Sequence, residues 1–338
     1  MLTVYGSIPD GLLDCEASEL HTILPGPSLI HLPGKHPDPL FVSVLLHGNE
    51  TTGWLAVRQV LRQYQEKSLP RALSLFIGNI HAAKQAARHL EGQPDYNRIW
   101  KADSGLDEDD MVREILEQME QRNVFASIDI HNNTGHNPHY ACINRLATPF
   151  FELATMFSNT VVYFLKPDGV QSLAFANLCP AVTVECGKPN EKSGITHASD
   201  FILSALSLEE FEEHSRDIHN LNIFHTVVIV KLKEGLTIGM AGEDCALQLL
   251  PELDYLNFNE LEPGKALARV REPDYMPVMA LNEFGKDVAD KYFEIRDGML
   301  CTTTEVMPSM LTLDMDVIRQ DCLCYLMERL DLSTTLST

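Results

Sequence analysis

LFVSVLLHGNE, residues 40–50, is a short apolar run that ends in a histidine and an acid. An apolar run of this length with β-branched residues predicts a buried strand over Leu40–Leu46. From about Glu50 to Gln65 the apolar residues recur at helical spacing, so we expect a helix directly after the strand. A strand that leads straight into a helix is typical of an α/β domain.

The same alternation of strand and helix continues along the first two thirds of the chain. Four more segments read as strands and one as a helix: Ala72–Ile77, Phe125–Ile130, Thr160–Leu165 and Ala181–Val184, and Asp109–Gln121. Strands that alternate with helices predict an α/β fold with helices on both faces of the sheet.

The pattern changes after about residue 225. Short strand candidates follow one another, separated by Gly, Pro and Asp or Asn turns: Thr226–Leu232, then residues 235–239, 246–250, 266–270, 277–281 and 291–295. A final helix is predicted over Asp314–Leu330. We therefore predict two domains, residues 1–224 and a smaller β-rich domain over residues 225–338 with a terminal helix.

Composition excludes several classes of function. The net charge of −22 argues against nucleic acid as a partner, because phosphate binding needs a basic surface. No apolar run approaches the ~18–20 residues that span a bilayer, and the first residues lack the basic start of a signal peptide. The eight cysteines form no C-x-x-C pair, which favours free thiols in a reducing compartment. We expect a cytoplasmic protein without a membrane partner.

Ionisable side chains stand at the ends of predicted strands. His47 follows the first strand, Glu50 comes three residues later in the expected first helical turn, and His131 ends the strand at Phe125–Ile130. Ligands in α/β proteins collect at the carboxyl ends of strands. Two imidazoles and one carboxylate make a three-ligand zinc site with an open position, the catalytic arrangement. The sequence thus predicts one Zn²⁺ per chain.

Glu185 ends a third strand and is followed by a glycine two residues later. A carboxylate at that place could act as general base to a metal-activated water and then as acid to a leaving amine. Each residue alone has an ordinary structural explanation, such as a salt bridge or a helix cap. Three buried strands that all end in His or Glu are hard to explain by packing alone.

Four motifs around these residues resemble the succinylglutamate desuccinylase/aspartoacylase branch of the zinc carboxypeptidase-like superfamily. Residues 47–53 resemble its H-G-N-E-x-x-G motif, and residues 95–98 its D-x-N-R motif. Residues 129–134 resemble its D-L-H-N-T segment, and residues 185–187 its E-x-G segment. The resemblance implies a mixed sheet flanked by helices, with a β-rich C-terminal domain.

The resemblance also implies roles for individual residues. His47, Glu50 and His131 would bind zinc, and Glu185 would be the general base and acid. Asn97 and Arg98 would hold a substrate carboxylate, for which a planar guanidinium is well shaped. Arg88 would polarise the scissile carbonyl; the alternative is that Arg88 is a solvated helix residue.

The sequence departs from aspartoacylases where they bind a second carboxylate. The arginine they carry about ten residues before the catalytic acid falls at Phe175 here, so the substrate side chain is expected to be uncharged. Tyr275 and Tyr292 are the candidates for a tyrosine that the C-terminal domain would supply. His136 and His139 could be further metal ligands, although loop histidines are more often solvated or hydrogen-bonded.

Three functions remain open at this point. The first is a zinc-dependent hydrolase of an amide bond in a small N-acyl amino acid. The second is a zinc carboxypeptidase acting on short peptides, and the third is a non-catalytic zinc-binding protein. The first would act on a small molecule, and the second would act on a short peptide. The sequence leaves open whether the chain forms a homo-oligomer.

Overall fold

The computed structural model describes residues 1–101, 104–212 and 221–331, which divide into two compact units. One unit comprises Met1–Asn132 and His139–Asn222, and the other comprises Asn133–Pro138 and the chain from Ile223 onward. The domains at residues 1–224 and 225–338 stay a prediction.

Eight strands and six α-helices make up the described part of the first unit. The strands are β1 Thr3–Tyr5, β2 Ser28–Leu32, β3 Gly34–Val44, β4 Leu69–Ile77, β5 Ala126–His131, β6 Tyr140–Ile143, β7 Thr160–Tyr163 and β8 Ala181–Glu185. The helices are α1 Thr52–Gln63, α2 Ile80–Lys84, α3 Asp109–Gln121, α4 Thr148–Thr155, α5 Gln171–Phe175 and α6 Lys192–Ser207. Two short 3-10 helices precede β2, at Leu12–Asp14 and Ala17–Thr22.

The eight strands form one mixed sheet in the order β1-β2-β4-β3-β5-β8-β6-β7. The central strands β4, β3, β5 and β8 run parallel to one another, whereas β2 is antiparallel to β4 and β6 is antiparallel to β8. The parallel strands therefore deliver their carboxyl ends to one edge of the sheet. The predicted fold class, a mixed sheet flanked by helices, is confirmed.

The two faces of the central sheet are covered by different helices. On one face Gly53 of α1 lies so close to Val44 and Ile130 that an added Cβ would be 2.9 Å from a Val44 methyl carbon. On the other face Phe175 of α5 stacks on Phe41, with ring centroids 4.3 Å apart. Alternate residues of a strand point to opposite faces. Helices on both faces explain why the central strands are apolar on both sides.

The second unit is built mainly of strands. They are β9 Asn222–Leu232, β10 Ile238–Met240, β11 Leu247–Leu249, β12 Ala266–Val270, β13 Val278–Asn282, β14 Phe293–Arg296, β15 Met299–Thr302, β16 Met307–Ser309 and β17 Cys324–Arg329. Two α-helices, α7 Ala289–Tyr292 and α8 Met315–Gln320, and a 3-10 helix at Leu253–Leu256 interrupt them. β9 pairs with β13 and β17, and β10, β11, β12, β15 and β14 form a separate sheet. The expectation of a β-rich C-terminal part is confirmed.

The prediction of a helix over Asp314–Leu330 is wrong. The helix ends at Gln320, and Cys324–Arg329 is a strand that pairs with β9 on one side and β16 on the other. Cys324 and Leu326 are buried on the shared core of the unit. Two neighbouring strands supply backbone partners that override a local helical pattern.

None of the helices in the described parts of the chain has the length and apolar character that a bilayer-spanning segment requires. All eight cysteines lie within those parts, none of them takes part in a disulfide, and all but Cys15 are buried.

Arg71 is the largest buried cation of the first unit and ties several segments together. Its side chain is 1% exposed, pairs with Asp38 and donates to the carbonyls of Leu208 and Glu209. The guanidinium also lies 3.5 Å from the ring centroid of Phe125.

Arg71→Met should lower the free energy of unfolding by about 3 kcal/mol, because it leaves the carbonyl partners without a donor. Arg113→Met is the control, since Arg113 forms an exposed ion pair with Asp110 and should change stability by less than ~1 kcal/mol. Urea denaturation followed by circular dichroism measures both. Equal effects of the two substitutions on the free energy of unfolding would contradict the role of Arg71 as a buried cation that holds these segments together.

Candidate metal centre

A sharp turn carries the chain from β3 to the first candidate ligand. Leu45 has φ of +56°, in the left-handed region that side chains rarely adopt. Gly48 has no room for a side chain, because an added Cβ would be 2.2 Å from the backbone nitrogen of Ala83. The turn brings His47 back over the end of the sheet.

Glu50 lies in the same turn. It precedes α1, which begins at Thr52, and its N–H donates to the carbonyl of His47 at 3.1 Å. His47 follows the strand as expected, but the expectation that Glu50 belongs to the first helical turn is wrong in detail. Both residues belong to the connection, where a turn can aim a histidine and a carboxylate at one point.

His47, Glu50 and His131 come together as predicted from the sequence. One donor atom from each lies within 4.8 Å of the others, and all three residues are buried. The Glu50 carboxylate is 2.7 Å from His47 Nδ1 through Oε1 and 2.7 Å from His131 Nδ1 through Oε2. The backbone N–H of Asn132 also donates to Oε2 at 3.1 Å.

The other nitrogen of each imidazole contacts a second carboxylate. His47 Nε2 is 2.9 Å from Asp95 Oδ1, and His131 Nε2 is 2.8 Å from Asp129 Oδ2. An ionised carboxylate only accepts hydrogen bonds, so each Nε2 carries a proton when the imidazole is neutral. The Nδ1 lone pairs then point toward Glu50.

This donor set fits a metal ion. Metal-binding histidines almost always donate their other N–H to a carboxylate or carbonyl, which fixes the ring and raises its basicity. Two neutral Nδ1 lone pairs that face an anionic carboxylate repel one another unless a cation lies between them. His47, Glu50 and His131 could therefore hold one metal ion.

Electrostatics in the site favour positive charge at its centre. Burial raises the pKa of Glu50, but the imidazoles of His47 and His131 outweigh burial and hold that pKa below its usual range. Burial lowers the pKa of His131, yet Asp129 and Glu50 raise it well above its usual range. The carboxylates around the two imidazoles thus stabilise a bound positive charge.

Glu185 lies next to the candidate ligand His131 in the sheet. It is the last residue of β8, opposite His131 in β5 and Tyr140 in β6. Neighbouring strands lie ~4.8 Å apart, and paired residues share a face of the sheet. The residue is 7% exposed. Glu185 therefore lies at the same edge and on the same face as His131.

Arg88 is not a solvated helix residue, the alternative kept open above. It follows α2 in a bend, and its side chain is 9% exposed. Its Nε and Nη2 donate to Asp95 Oδ2 at 3.2 and 2.9 Å, and its Nη1 lies 3.9 Å from Glu50 Oε1. The structure brings this guanidinium to the candidate metal centre.

Asn97 and Arg98 lie in the loop that also carries Asp95. Asn97 Nδ2 is 3.4 Å from His131 Nε2, and its Oδ1 accepts the N–H of Gln171 at 3.1 Å. Arg98 Nη1 donates to the carbonyl of Asn97 at 2.8 Å. The Asn97 side chain is thus fixed next to a candidate ligand.

The extra histidines do not join the candidate centre. Among the described residues, the group of potential metal ligands consists of His47, Glu50 and His131 alone. His136 stacks on Tyr255 with ring centroids 4.0 Å apart. His139 stacks on His197 with centroids 5.0 Å apart.

The aromatic residue at the aspartoacylase arginine position is in the core. Phe175 is fully buried between Phe41 and Trp100. The two tyrosine candidates differ in exposure: Tyr275 is 43% exposed, whereas Tyr292 is 3% exposed and accepts a hydrogen bond from Lys291.

A model of the succinylglutamate desuccinylase/aspartoacylase catalytic domain matches residues 39–208, just over half of the chain. This chain belongs to that family. Membership confirms the family resemblance that the four motifs indicated, and it makes the chain an amide-bond hydrolase of desuccinylase/aspartoacylase type. A comparison with curated proteins found no match.

Solved structures share the fold of this family member at low sequence identity. Succinylglutamate desuccinylase from Chromobacterium violaceum has 16% identity and a TM-score of 0.55, covering 88% of this chain and 87% of its own. A succinylglutamate desuccinylase/aspartoacylase from Rhodobacter sphaeroides has 13% identity and a TM-score of 0.57, covering 89% and 88%. Murine aminoacylase 3 has 15% identity and a TM-score of 0.53, covering 88% and 96%.

Asp95 and Asp129, the carboxylates that contact the Nε2 atoms of the two histidines, had no role predicted from the sequence. Asp129 shares a strand face with His131, so period-2 alternation could have identified it. Asp95 is separated from His47 by 48 residues, and only its place in the D-x-N-R motif marked it.

His47→Ala and His131→Ala should each weaken zinc binding by more than ~100-fold, since loss of a ligand should exceed the loss caused by an outer partner. His81→Ala is the control, because His81 is exposed on α2. Zinc dissociation constants from chelator competition, with metal content by mass spectrometry, test this. Undiminished zinc binding in either ligand variant would exclude the centre.

Proposed function

We propose that the chain is a zinc-dependent hydrolase that cleaves the amide bond of a small N-acyl amino acid. One Zn²⁺ would be held by His47, Glu50 and His131. The observation that carries the proposal is the pair of imidazoles around Glu50, each supported from behind by a carboxylate. When bound, zinc supplies Lewis acidity and a water of lowered pKa.

Glu185 is the proposed proton carrier. Its carboxylate would take a proton from the attacking water and pass the same proton to the nitrogen of the departing amine. Its position opposite His131 supports this role. Its burial also supports the role, because proton transfer is more effective where bulk water is excluded.

Arg88 would bind the carbonyl oxygen of the scissile amide and stabilise the negative charge that develops there. Its guanidinium is held next to the candidate ligands, since Asp95 accepts from its Nε and Nη2 and Glu50 lies 3.9 Å from its Nη1. A cation already fixed in place needs little reorganisation during the reaction.

Asn97 and Arg98 would bind the α-carboxylate of the substrate. They belong to the loop that also supports His47 through Asp95. The relatives named above are a desuccinylase, a desuccinylase/aspartoacylase and an aminoacylase, and all of these names describe removal of an acyl group. Phe175 lies in the core and offers no charge to a second carboxylate, which favours a substrate with an uncharged side chain.

A cytoplasmic location agrees with the thiols. None of the eight cysteines, all of which lie in the described residues, takes part in a disulfide, as expected in a reducing compartment. A small-molecule substrate remains the proposed partner.

Glu185→Gln should retain zinc and lower kcat by at least ~100-fold, because the amide cannot accept the proton. Glu114→Gln, at an exposed position of α3, is the control and should keep full turnover. Products from a panel of N-acyl amino acids and short peptides are followed by mass spectrometry, with and without chelator.

The same panel separates the competing functions. Chelator-sensitive release of an amino acid from an N-acyl compound supports the proposal. Shortening of peptides from the carboxyl end would replace it with a carboxypeptidase. Zinc binding without any turnover would favour a non-catalytic protein.

Arg98→Met and Arg88→Met should affect different kinetic constants. Loss of a carboxylate contact that is equal in the ground and transition states raises KM, whereas loss of a contact to the developing charge lowers kcat. We expect Arg98→Met to raise KM about 10-fold or more and Arg88→Met to lower kcat about 100-fold. Steady-state kinetics on the substrate from the panel decide, and the reverse pattern would exchange the two roles.

A further inference from the structure

Both oxygens of the Asp95 carboxylate are fully used. Oδ1 is 2.9 Å from His47 Nε2 and accepts the backbone N–H of Asn97 at 2.8 Å. Oδ2 accepts Nε and Nη2 of Arg88 at 3.2 and 2.9 Å. The side chain is 16% exposed. One carboxylate thus joins a proposed metal ligand to the proposed carbonyl-binding arginine.

Asp129 is a natural comparison within the same centre. Its Oδ2 is 2.8 Å from His131 Nε2, as Asp95 is from His47. Its Oδ1 accepts the hydroxyl of Ser43 at 2.6 Å, where Asp95 instead holds a guanidinium. The two aspartates therefore support one imidazole each, but only Asp95 also holds a cation.

The position of Arg88 makes that difference important. Its Nη1 is 3.9 Å from Glu50 Oε1, and the two side chains are 9% and 8% exposed. Attraction between buried opposite charges is strong. A guanidinium released from Asp95 has only a short distance to move before this 3.9 Å ion pair becomes a direct hydrogen bond to Glu50, and that hydrogen bond would compete with a metal ion for the carboxylate.

We propose that Asp95 is a shared positioning residue, which fixes His47 for metal binding and keeps Arg88 from moving out of its 3.9 Å ion pair into a direct hydrogen bond with the ligand carboxylate of Glu50. This inference rests on the proposed function for the roles of the metal and of Arg88. Metal affinity then depends on Asp95, which does not contact the metal, because Asp95 restrains the guanidinium of Arg88.

An amide cannot replace this carboxylate. Its oxygen accepts, but its amino group only donates. The two ends of the side chain face N–H donors of His47 and Arg88. Asp95→Asn must therefore set a donor against a donor on one side, and it also removes the charge that attracts Arg88.

The test is chelator competition with zinc on five full-length proteins: wild type, Asp129→Asn, Asp95→Asn, Arg88→Met and the double variant Asp95→Asn/Arg88→Met. Asp129→Asn should weaken zinc binding by ~10–100-fold, as loss of an outer carboxylate does. Asp95→Asn should weaken it by a further ~10-fold or more, because Arg88 then moves into direct hydrogen-bond contact with Glu50. Adding Arg88→Met should restore most of that further loss.

General damage to the structure would not be reversed by Arg88→Met, so restored zinc binding in the double variant would point to Arg88 itself. If Asp95→Asn weakens zinc binding equally with Arg88 and with Met at position 88, or no more than Asp129→Asn does, the inference is overturned. Should Asp95→Asn fail to fold by circular dichroism, Asp95→Glu takes its place. Asp95→Glu keeps the negative charge that restrains Arg88, so it should weaken zinc binding by no more than ~100-fold. A larger loss of zinc affinity that Arg88→Met does not relieve would equally overturn the inference.

Turnover gives a second readout. At saturating zinc, Asp95→Asn should have a kcat as low as that of Arg88→Met, and the double variant should be no lower. Additive losses in kcat would contradict action through Arg88. Wild type that binds zinc but turns over no N-acyl compound would refute the proposed function alone, because zinc competition still decides the role of Asp95.

Discussion

The contact between the Glu50 carboxylate and the imidazoles of His47 and His131 is the constraint on which the centre depends. All three groups are buried, and burial of a charge is costly unless it is paired. The carboxylates of Asp95 and Asp129 complete the pairing from behind, and Ser43 and Arg88 satisfy those carboxylates in turn. A buried charge network of this kind persists only where every member is satisfied.

Sheet geometry explains how residues far apart in the chain reach this network. β3, β5 and β8 are adjacent and parallel, so the turn after β3 and the last residues of β5 and β8 meet at one edge. Apolar residues on the opposite face pack on α1 through Gly53. The face that carries Asp129, His131 and Glu185 also includes Phe41, which packs on Phe175 of α5.

Local sequence patterns predicted secondary structure correctly where an element depends mainly on its own residues. Asp109–Gln121 was predicted as a helix and forms one over the same residues, since its buried residues repeat at helical spacing. The segment Cys324–Arg329 was predicted as part of a helix and forms a strand, because β9 and β16 supply hydrogen-bond partners that no local pattern reveals. The structure brings His47 and Glu50 together in one turn, whereas the sequence pattern placed Glu50 in the first turn of the helix.

The sequence by itself determined the fold class, the family motifs and the residue types that could bind a metal, because periodicity and ligand chemistry are written in short stretches of chain. Tertiary structure alone decided which side chains surround them: that Arg88 is buried against Asp95, that Phe175 belongs to the core, and that His136 and His139 stack elsewhere. These outcomes depend on contacts between segments that are distant in sequence. Burial sets the strength of each charge, and burial exists only once those segments have packed together.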